Sequence, residues 1–300
     1  SDVHGFTGST GRRKPGIVMG HETAGEVTQV GQAVTGIAPG DRVAVNPLIN
    51  CGRCEACLSG RPNLCEERLG IGWSVDGAYA EFVKAPAKNL LPLPAALPFE
   101  EAALAEPLAV ALRAASLTPF HLGETAVVIG AGPIGLLTVL ALKLEGAGRV
   151  IVCDLSPRRL ALSARLGADH TVDSSQADPV QAVLDLTGGR GAHAAIEAVG
   201  LPATADQSIV MVRNGGQVTW VGNSAPRVEI PMQSVVTREV TVRGSYGFAG
   251  EFERAVALLG SGKVDVAPLI ELLAPLEDGP DLFQDLASGQ RDLAKVIFQP

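Results

Sequence analysis

Four cysteines, Cys51, Cys54, Cys57 and Cys65, fall within 15 residues. Thiols this dense, in a chain that opens without a secretory leader pattern, argue for a metal centre rather than disulfides. A closed four-thiolate zinc site suits the spacing, because thiolates satisfy the soft side of the ion and leave no position open for chemistry. An iron–sulfur cluster is the competing reading, together with free thiols. In the usual cluster run, however, the fourth cysteine follows after three residues and precedes proline, whereas here seven residues intervene and Glu66 follows. The remaining Cys153 closes an apolar run and reads as packing.

A second chemistry is written at Gly130-Ala131-Gly132-Pro133-Ile134-Gly135, a G-x-G-x-x-G between a β-branched run and a helix-forming run. In that context the first glycine makes the turn, the second admits a pyrophosphate, and the third lets helix and strand pack. The helix N-terminus supplies amides and positive dipole. Asp154 ends the next strand, where a carboxylate accepts from the adenosine ribose and repels a 2′-phosphate, so NAD is expected over NADP. Arg158 and Arg159 follow closely and keep NADP as the alternative.

A third group is less telling by itself. Gly20-His21-Glu22 precedes an expected strand and Glu106 sits beside Pro107; a histidine and two carboxylates are usually solvated or ion-paired. His121, His170 and His193 have no partner motif and receive no role.

These residues must be held by elements of two kinds. Up to about Pro98 the sequence has short apolar runs punctuated by glycine and proline, such as Gly40-Asp41-Arg42-Val43-Ala44-Val45, expected to form small strands closing a barrel. From Glu100 to Leu117 an Ala/Leu pattern predicts a helical bridge interrupted at Pro107. Beyond Leu122 strands are expected near 125–129, 149–153, 170–172, 194–198, 217–221 and 240–243, alternating with helices near 133–145, 157–166, 179–186 and 203–212. Such alternation implies a parallel sheet covered on both faces. A last helix near 251–259 and a β-rich tail ending in Lys295-Val296-Ile297-Phe298 are expected to return to the first domain.

The composition, 46% hydrophobic and 19% charged, permits a sizeable core in 300 residues, and the net charge of −8 leaves no footprint for nucleic acid or an anionic membrane. The longest uncharged stretch, 125–142, is divided by Gly130, Gly132, Pro133 and Gly135 and reads as strand, turn and helix rather than a membrane span. A cytoplasmic protein is the default expectation.

Taken together, these motifs resemble the zinc-containing medium-chain dehydrogenase family, within it the sorbitol and 2,3-butanediol dehydrogenase branch. The resemblance runs along essentially the whole chain through Gly20-His21-Glu22, Gly40-Asp41-Arg42-Val43, the cysteine lobe, Gly77-Ala78-Tyr79-Ala80-Glu81-Phe82, Glu106-Pro107-Leu108, the phosphate turn and Gly244-Ser245-Tyr246-Gly247. It implies an α/β chain: a GroES-like β-barrel catalytic domain over 1–106 with a structural zinc lobe at 51–65, a Rossmann doubly wound parallel-sheet domain over 107–248, and a return to the first domain over 249–300. By resemblance a catalytic zinc lies between the domains, with His21 as ligand and Glu22 and Glu106 as carboxylates, either of which ligates while the other holds the zinc-bound water. The family's cysteine ligand belongs to a C-x-S-D motif. Ser1-Asp2-Val3-His4 is the tail of that motif, so an N-terminally truncated domain is expected, with the cysteine two positions before Ser1.

The resemblance also assigns chemistry. Zinc lowers the pKa of the substrate hydroxyl and hydride passes to the nicotinamide, while Ser1 accepts the hydroxyl proton and His4 passes it through the cofactor ribose to solvent. The cofactor surface comprises Gly130, Gly132, Pro133, Ile134, Gly135, Asp154, Arg159, Val199, Val221 and Gly222. The expected activity is NAD-linked oxidation of a secondary alcohol, vicinal diol or polyol by a homo-oligomer, dimer or tetramer. Two other readings remain open: a zinc- and NAD-binding protein without catalysis, and a zinc-free NADP-dependent quinone or enone reductase.

Overall fold

The computed structural model describes residues 1–8, 11 and 15–300. The chain divides into two units, Ser1–Ala109 with Phe248–Pro300, and Val110–Gly247.

The first unit opens with a short helix α1 (Asp2–Phe6), followed by strands β1 (Thr23–Glu26), β2 (Arg42–Val45), β3 (Leu48–Ile49), β4 (Leu69–Gly70) and β5 (Leu90–Pro92). Helix α2 (Glu55–Leu58) lies in the cysteine lobe and α3 (Phe99–Ala102) follows β5. Punctuated runs this short make small ladders. β1, β2 and β5 form an antiparallel sheet with β2 central, and β3 pairs with β4. The central strand supplies the buried Val43, Ala44 and Val45. Arg42 at its start donates to the carbonyls of Ala95 and Leu97 and lies 4.3 Å from the Phe99 ring centroid. A guanidinium thereby pins the segment after β5 through both hydrogen bonds and a cation–π contact.

The helical bridge departs from expectation. Its interruption falls at Ala103–Leu104, and Pro107 lies inside α4 (Ala105–Ser116). The reason is positional: Pro107 occupies the first turn, where a backbone N–H has no partner within the helix and a φ near −65° is already helical.

Six parallel strands build the second unit: β6 (Thr125–Ile129), β7 (Arg149–Asp154), β8 (His170–Asp173), β9 (Ala192–Glu197), β10 (Val212–Trp220) and β11 (Thr241–Gly244). They alternate with α5 (Pro133–Leu144), α6 (Pro157–Arg165), α7 (Pro179–Leu186), α8 (Pro202–Val210) and α9 (Met232–Thr237). Each of α5 to α8 begins with proline in its first turn, and Ser156 and Asp178 cap α6 and α7 with their side chains. The sheet order is β11-β10-β9-β6-β7-β8, so the chain winds outward in both directions from the β6–β9 junction. Right-handed crossovers then put helices on opposite faces, and a crevice opens beyond the carboxyl ends of β6 and β9. One face of the sheet buries Val127, Ile129, Ile151, Val172 and Val218 with Val183 of α7 and Met211. Each such side chain contributes about 1.5–3 kcal/mol. β10 starts earlier than expected, at Val212, with its register against β9 shifted between Val212 and Gln217.

The chain then rejoins the first unit through α10 (Glu251–Gly260), β12 (Ile270–Pro275), α11 (Gly279–Ser288) and β13 (Lys295–Gln299), with β12 and β13 paired in parallel. Helix α11 was not anticipated in the β-rich tail. Its Phe283 stacks on Phe298 of β13 at 6.2 Å and meets Phe6 of α1 at 5.4 Å and Tyr79 at 5.7 Å. This aromatic cluster fastens α1, the loop at Tyr79 and the final strand to one another.

Candidate metal and nucleotide sites

In the lobe, Cys54 caps α2 and Cys57 sits one turn into it. Ligand sulfurs of Cys51, Cys54, Cys57 and Cys65 all lie within 4.8 Å of one another, with Cys54 to Cys57 at 3.5 Å and Cys51 to Cys57 at 4.0 Å. Four sulfurs at zinc–sulfur bonds of ~2.3 Å around a tetrahedron would be roughly 3.8 Å apart, so the lobe needs only small adjustment. The backbone N–H of Cys51 points at Cys65 Sγ and that of Cys54 at Cys51 Sγ, both at 3.4 Å. N–H groups from Arg53 and Cys54 bring the Cys51 thiol down to about 6, whereas burial and the neighbouring Cys54 thiol push Cys57 up to about 12, so without a cation the four do not ionise together. The donor set fits a soft dication. Cys153, by contrast, is buried in the second unit, where burial pushes its thiol up to about 12.

His21 is delivered by a loop-to-loop ladder. Gly77, Ala78 and Tyr79 donate their N–H groups to the carbonyls of Val18, Gly20 and Met19 at 2.8, 3.0 and 3.0 Å. Gly20 has φ +96°, and a Cβ there would stand 2.8 Å from Tyr79 N, so only glycine permits the approach. The imidazole enters a buried space with its ring edge-on to Trp73 at 5.5 Å. Glu106 arrives from the first turn of α4, and Lys295 of β13 pairs with Glu22. Ligand atoms of His21, Glu22 and Glu106 lie within 4.8 Å of one another.

The electrostatics of this cluster favour a cation. Burial opposes charge on His21, but the carboxylate of Asp2, with Oδ1 3.2 Å from Nδ1, outweighs it, and Glu106 and Glu22 add to the effect, so the pKa lies above the ordinary 6.5. The contact is close in distance but off the line of a hydrogen bond. Burial pushes the Glu106 carboxyl up to about 7, helped by Glu22 and opposed by His21 and Lys295. Two carboxylates and an imidazole, two of the three buried, with Lys295 facing Glu22, form a donor set that a hard or borderline dication would complete.

In the second unit the phosphate turn follows β6. Gly130 has φ +96° and a Cβ there would strike Val199; a Cβ on Gly135 would fall 1.8 Å from Gly130 O. Nothing stands within 4 Å of the Cβ direction of Gly132, which caps α5. That open space, with Pro133 and Ile134 beginning the helix beneath it, could admit a diphosphate. Asp154 is already engaged: it accepts from Ala131 N–H at 2.6 Å and Ser156 N–H at 2.8 Å, tying the end of β7 to the turn. Arg159 sits in the first turn of α6, its N–H directed at Ser156 Oγ. Val199 reaches the turn through Gly130, while Val221 and Gly222 follow β10 and donate to the carbonyl of Glu197.

Of the residues named from sequence, Ser1 precedes α1 and His4 is exposed upon it. Asp2, Tyr79, Lys295 and Glu197 carry structural duties that sequence reasoning missed. Tyr79 Oη donates to Asp2 Oδ2 at 2.9 Å, so an aromatic hydroxyl orients the carboxylate facing His21. Glu197 is 1% exposed, and its carboxylate accepts from Val199 and Gly200 N–H at 2.8 and 2.7 Å. A glutamate following the apolar run Ala194-Ala195-Ile196 was the available signal, because a buried charge requires such donors.

Residues 1–95 match the alcohol dehydrogenase GroES-like domain, and residues 133–261 match the zinc-binding dehydrogenase domain. The chain is 36% identical to sorbitol dehydrogenase of Bacillus subtilis over 100% of its own length and 86% of that protein. Among solved structures it is similar to 2R,3R-butanediol dehydrogenase from Bacillus subtilis, with a TM-score of 0.86 at 32% identity over 96% of this chain and 82% of the other. An Escherichia coli alcohol dehydrogenase complexed with NADH superposes with a TM-score of 0.90 at 28% identity, over 97% and 86% of the two chains. A thiolate lobe, a histidine–carboxylate cluster and a dinucleotide turn in one such chain have a single reading: it belongs to the zinc-dependent, nicotinamide-linked medium-chain alcohol dehydrogenases.

Proposed function

We propose that this chain oxidises the secondary hydroxyl of a polyol or vicinal diol and prefers NAD to NADP. The observation that carries the reading is the convergence of His21, Glu22 and Glu106 in a chain similar to sorbitol dehydrogenase. These residues would hold the catalytic zinc, and Cys51, Cys54, Cys57 and Cys65 the structural one. When bound, the zinc supplies Lewis acidity to a hydroxyl and the nicotinamide supplies the hydride acceptor.

The chain's own residues do the rest. Asp2, held by Tyr79, sets a negative charge against the His21 ring, and Lys295 offsets the charge of Glu22 beside Glu106. Ser1 would take the hydroxyl proton and His4, exposed on the short helix that Ser1 precedes, would release it to water. Asp154 would exclude a 2′-phosphate from the end of β7.

Activity with NAD across sugar alcohols, vicinal diols and simple secondary alcohols, measured with metal content, tests the proposal. The expected result is two zinc ions per chain and the highest kcat/KM on polyols or diols. Turnover confined to enones or quinones with NADPH would refute it.

We also propose a homo-oligomer, dimer or tetramer. Strand β11 is the edge of its sheet, and Val236 and Tyr246 near it are exposed at 63% and 46%; an edge of this kind is a template for pairing with a second copy. Sedimentation at micromolar concentration would test this, a monomer being the contrary result. A reducing cytoplasmic setting suits the thiolate lobe, and no helix among the described residues is long and apolar enough to cross a membrane.

A further inference from the structure

Parallel strands begin at one edge of a sheet, and in the second unit that edge gathers three arginines and a histidine. Arg149 is the first residue of β7, His193 the second of β9 and Arg213 the second of β10, while Arg190 sits on the loop that leads into β9. With Thr187 and Asn214 they line a cleft of about 420 Å³. The phosphate turn lies at the opposite ends of the strands, roughly 15 Å away across five residues rising ~3.3 Å each.

The charges here do not cancel. Glu124 is the carboxylate the cluster shares: its Oε1 lies 3.4 Å from both His193 Nε2 and Arg213. His193 Nδ1 accepts from Thr125 N–H at 3.2 Å, which makes the ring neutral with its proton on Nε2, facing Glu124. Its pKa lies below the ordinary value through burial first, with Arg213 and Arg190 adding to it against Glu124. Arg149 spends only its Nε, on Thr125 Oγ1 at 3.3 Å, and the side chain of Arg190 makes no hydrogen bond or ion pair among the described residues. Glu124 therefore answers one of the three guanidiniums, that of Arg213.

The loop that presents Arg190 is built to stay in place. Gly191 donates to Thr187 Oγ1 at 3.1 Å, Gly189 to Leu184 O at 2.8 Å, and a Cβ on Gly191 would come within 2.7 Å of the Val212 carbonyl carbon. A side chain on a closed loop loses less freedom when it binds.

We propose that this cleft is a second anion site, distinct from the nucleotide site, that takes a phosphate or diphosphate group. Guanidiniums match phosphate oxygens in paired hydrogen bonds, which a compact carboxylate dianion exploits less fully.

Calorimetric titration of inorganic pyrophosphate into the full chain saturated with NADH tests the proposal, because the cofactor then occupies the phosphate turn. At constant ionic strength one pyrophosphate should bind per chain, more tightly than inorganic phosphate and at least tenfold more tightly than malonate. The double variant R190Q/R213Q should weaken it at least tenfold, with NADH affinity unchanged. R190Q alone removes an exposed side chain with no partner to lose, so it folds as the parent does and should weaken pyrophosphate about threefold. No binding to the NADH-saturated chain, equal affinity in R190Q, or malonate binding as tightly as pyrophosphate would each overturn the assignment.

Discussion

Asp154 is the residue whose removal has the most to say, because its two oxygens are already in use. In Asp154→Ala the N–H of Ala131, wholly buried, loses its acceptor, at a cost of about 1–3 kcal/mol, and the half-buried Ser156 N–H recovers part of its own from water. A loss of about 2 kcal/mol lowers the Tm by roughly 4–8 °C for a domain of this size. On binding, a charged acceptor for the ribose hydroxyls contributes about 1.5–3 kcal/mol, so NADH affinity should fall about ten- to a hundredfold. NADP never profits from that carboxylate, so the ratio of kcat/KM for NAD over NADP should fall by a similar factor. Asp154→Asn separates the two duties: it keeps an oxygen for Ala131 N–H, so the Tm recovers, while the charge is gone and the cofactor ratio still shifts. Protein fluorescence with NADH, steady-state kinetics with both cofactors and thermal unfolding provide the readouts. If the ratio stayed at its wild-type value in both variants, Asp154 would be a tether of the turn and nothing more.

Cys54→Ser should remove one tightly bound zinc and make the lobe susceptible to proteolysis, with NADH affinity unchanged; metal analysis showing undiminished zinc would refute a four-cysteine site. Leu137→Ala, at a wholly buried position of α5, should cost about 2–5 kcal/mol in urea unfolding while zinc content holds. Asp169 gives a pH signature. Burial tends to raise its pKa, but Lys143 Nζ and Val150 N–H, both at 2.6 Å, hold it below the ordinary carboxylate value. A depressed folded-state pKa means stability that is present above about pH 4 and lost as the pH falls through the lower folded value. The stability gap between the parent and Asp169→Asn should therefore be open at pH 7 and close on acidification; a gap independent of pH would contradict the ion pair's role.

Legibility followed the range of the interactions. The phosphate turn, the proline-started helices and the cysteine lobe are local, so their physics is written in neighbouring residues, and the strands of the second unit were readable because apolar runs and turn glycines alternate there. Pro107 misled because a proline in a helix's first turn has the same letter as one that ends a helix. The surroundings of His21 were illegible for the opposite reason. Lys295 and Glu22 stand 273 residues apart, and Tyr79 and Asp2 77 apart, pairings that only the folded chain creates. Glu197 stood in plain view, yet its need for N–H donors becomes apparent only once the strand around it is buried.

The first unit is assembled from two stretches of sequence with the whole second unit between them. On a ribosome the nucleotide-binding sheet is synthesised in one piece and can fold as it emerges, whereas the metal-binding unit must wait for its last strand. Lys295 reaches Glu22 only then, and so do Phe283 and Phe298, which close around Tyr79. During that interval Glu22 lacks the counter-charge of Lys295, and Tyr79, which holds Asp2, lacks its aromatic neighbours. A nascent chain that met metal too early would meet it with an open, hydrated set of candidate ligands, so the candidate metal cluster takes its final form only once the last strand is in place.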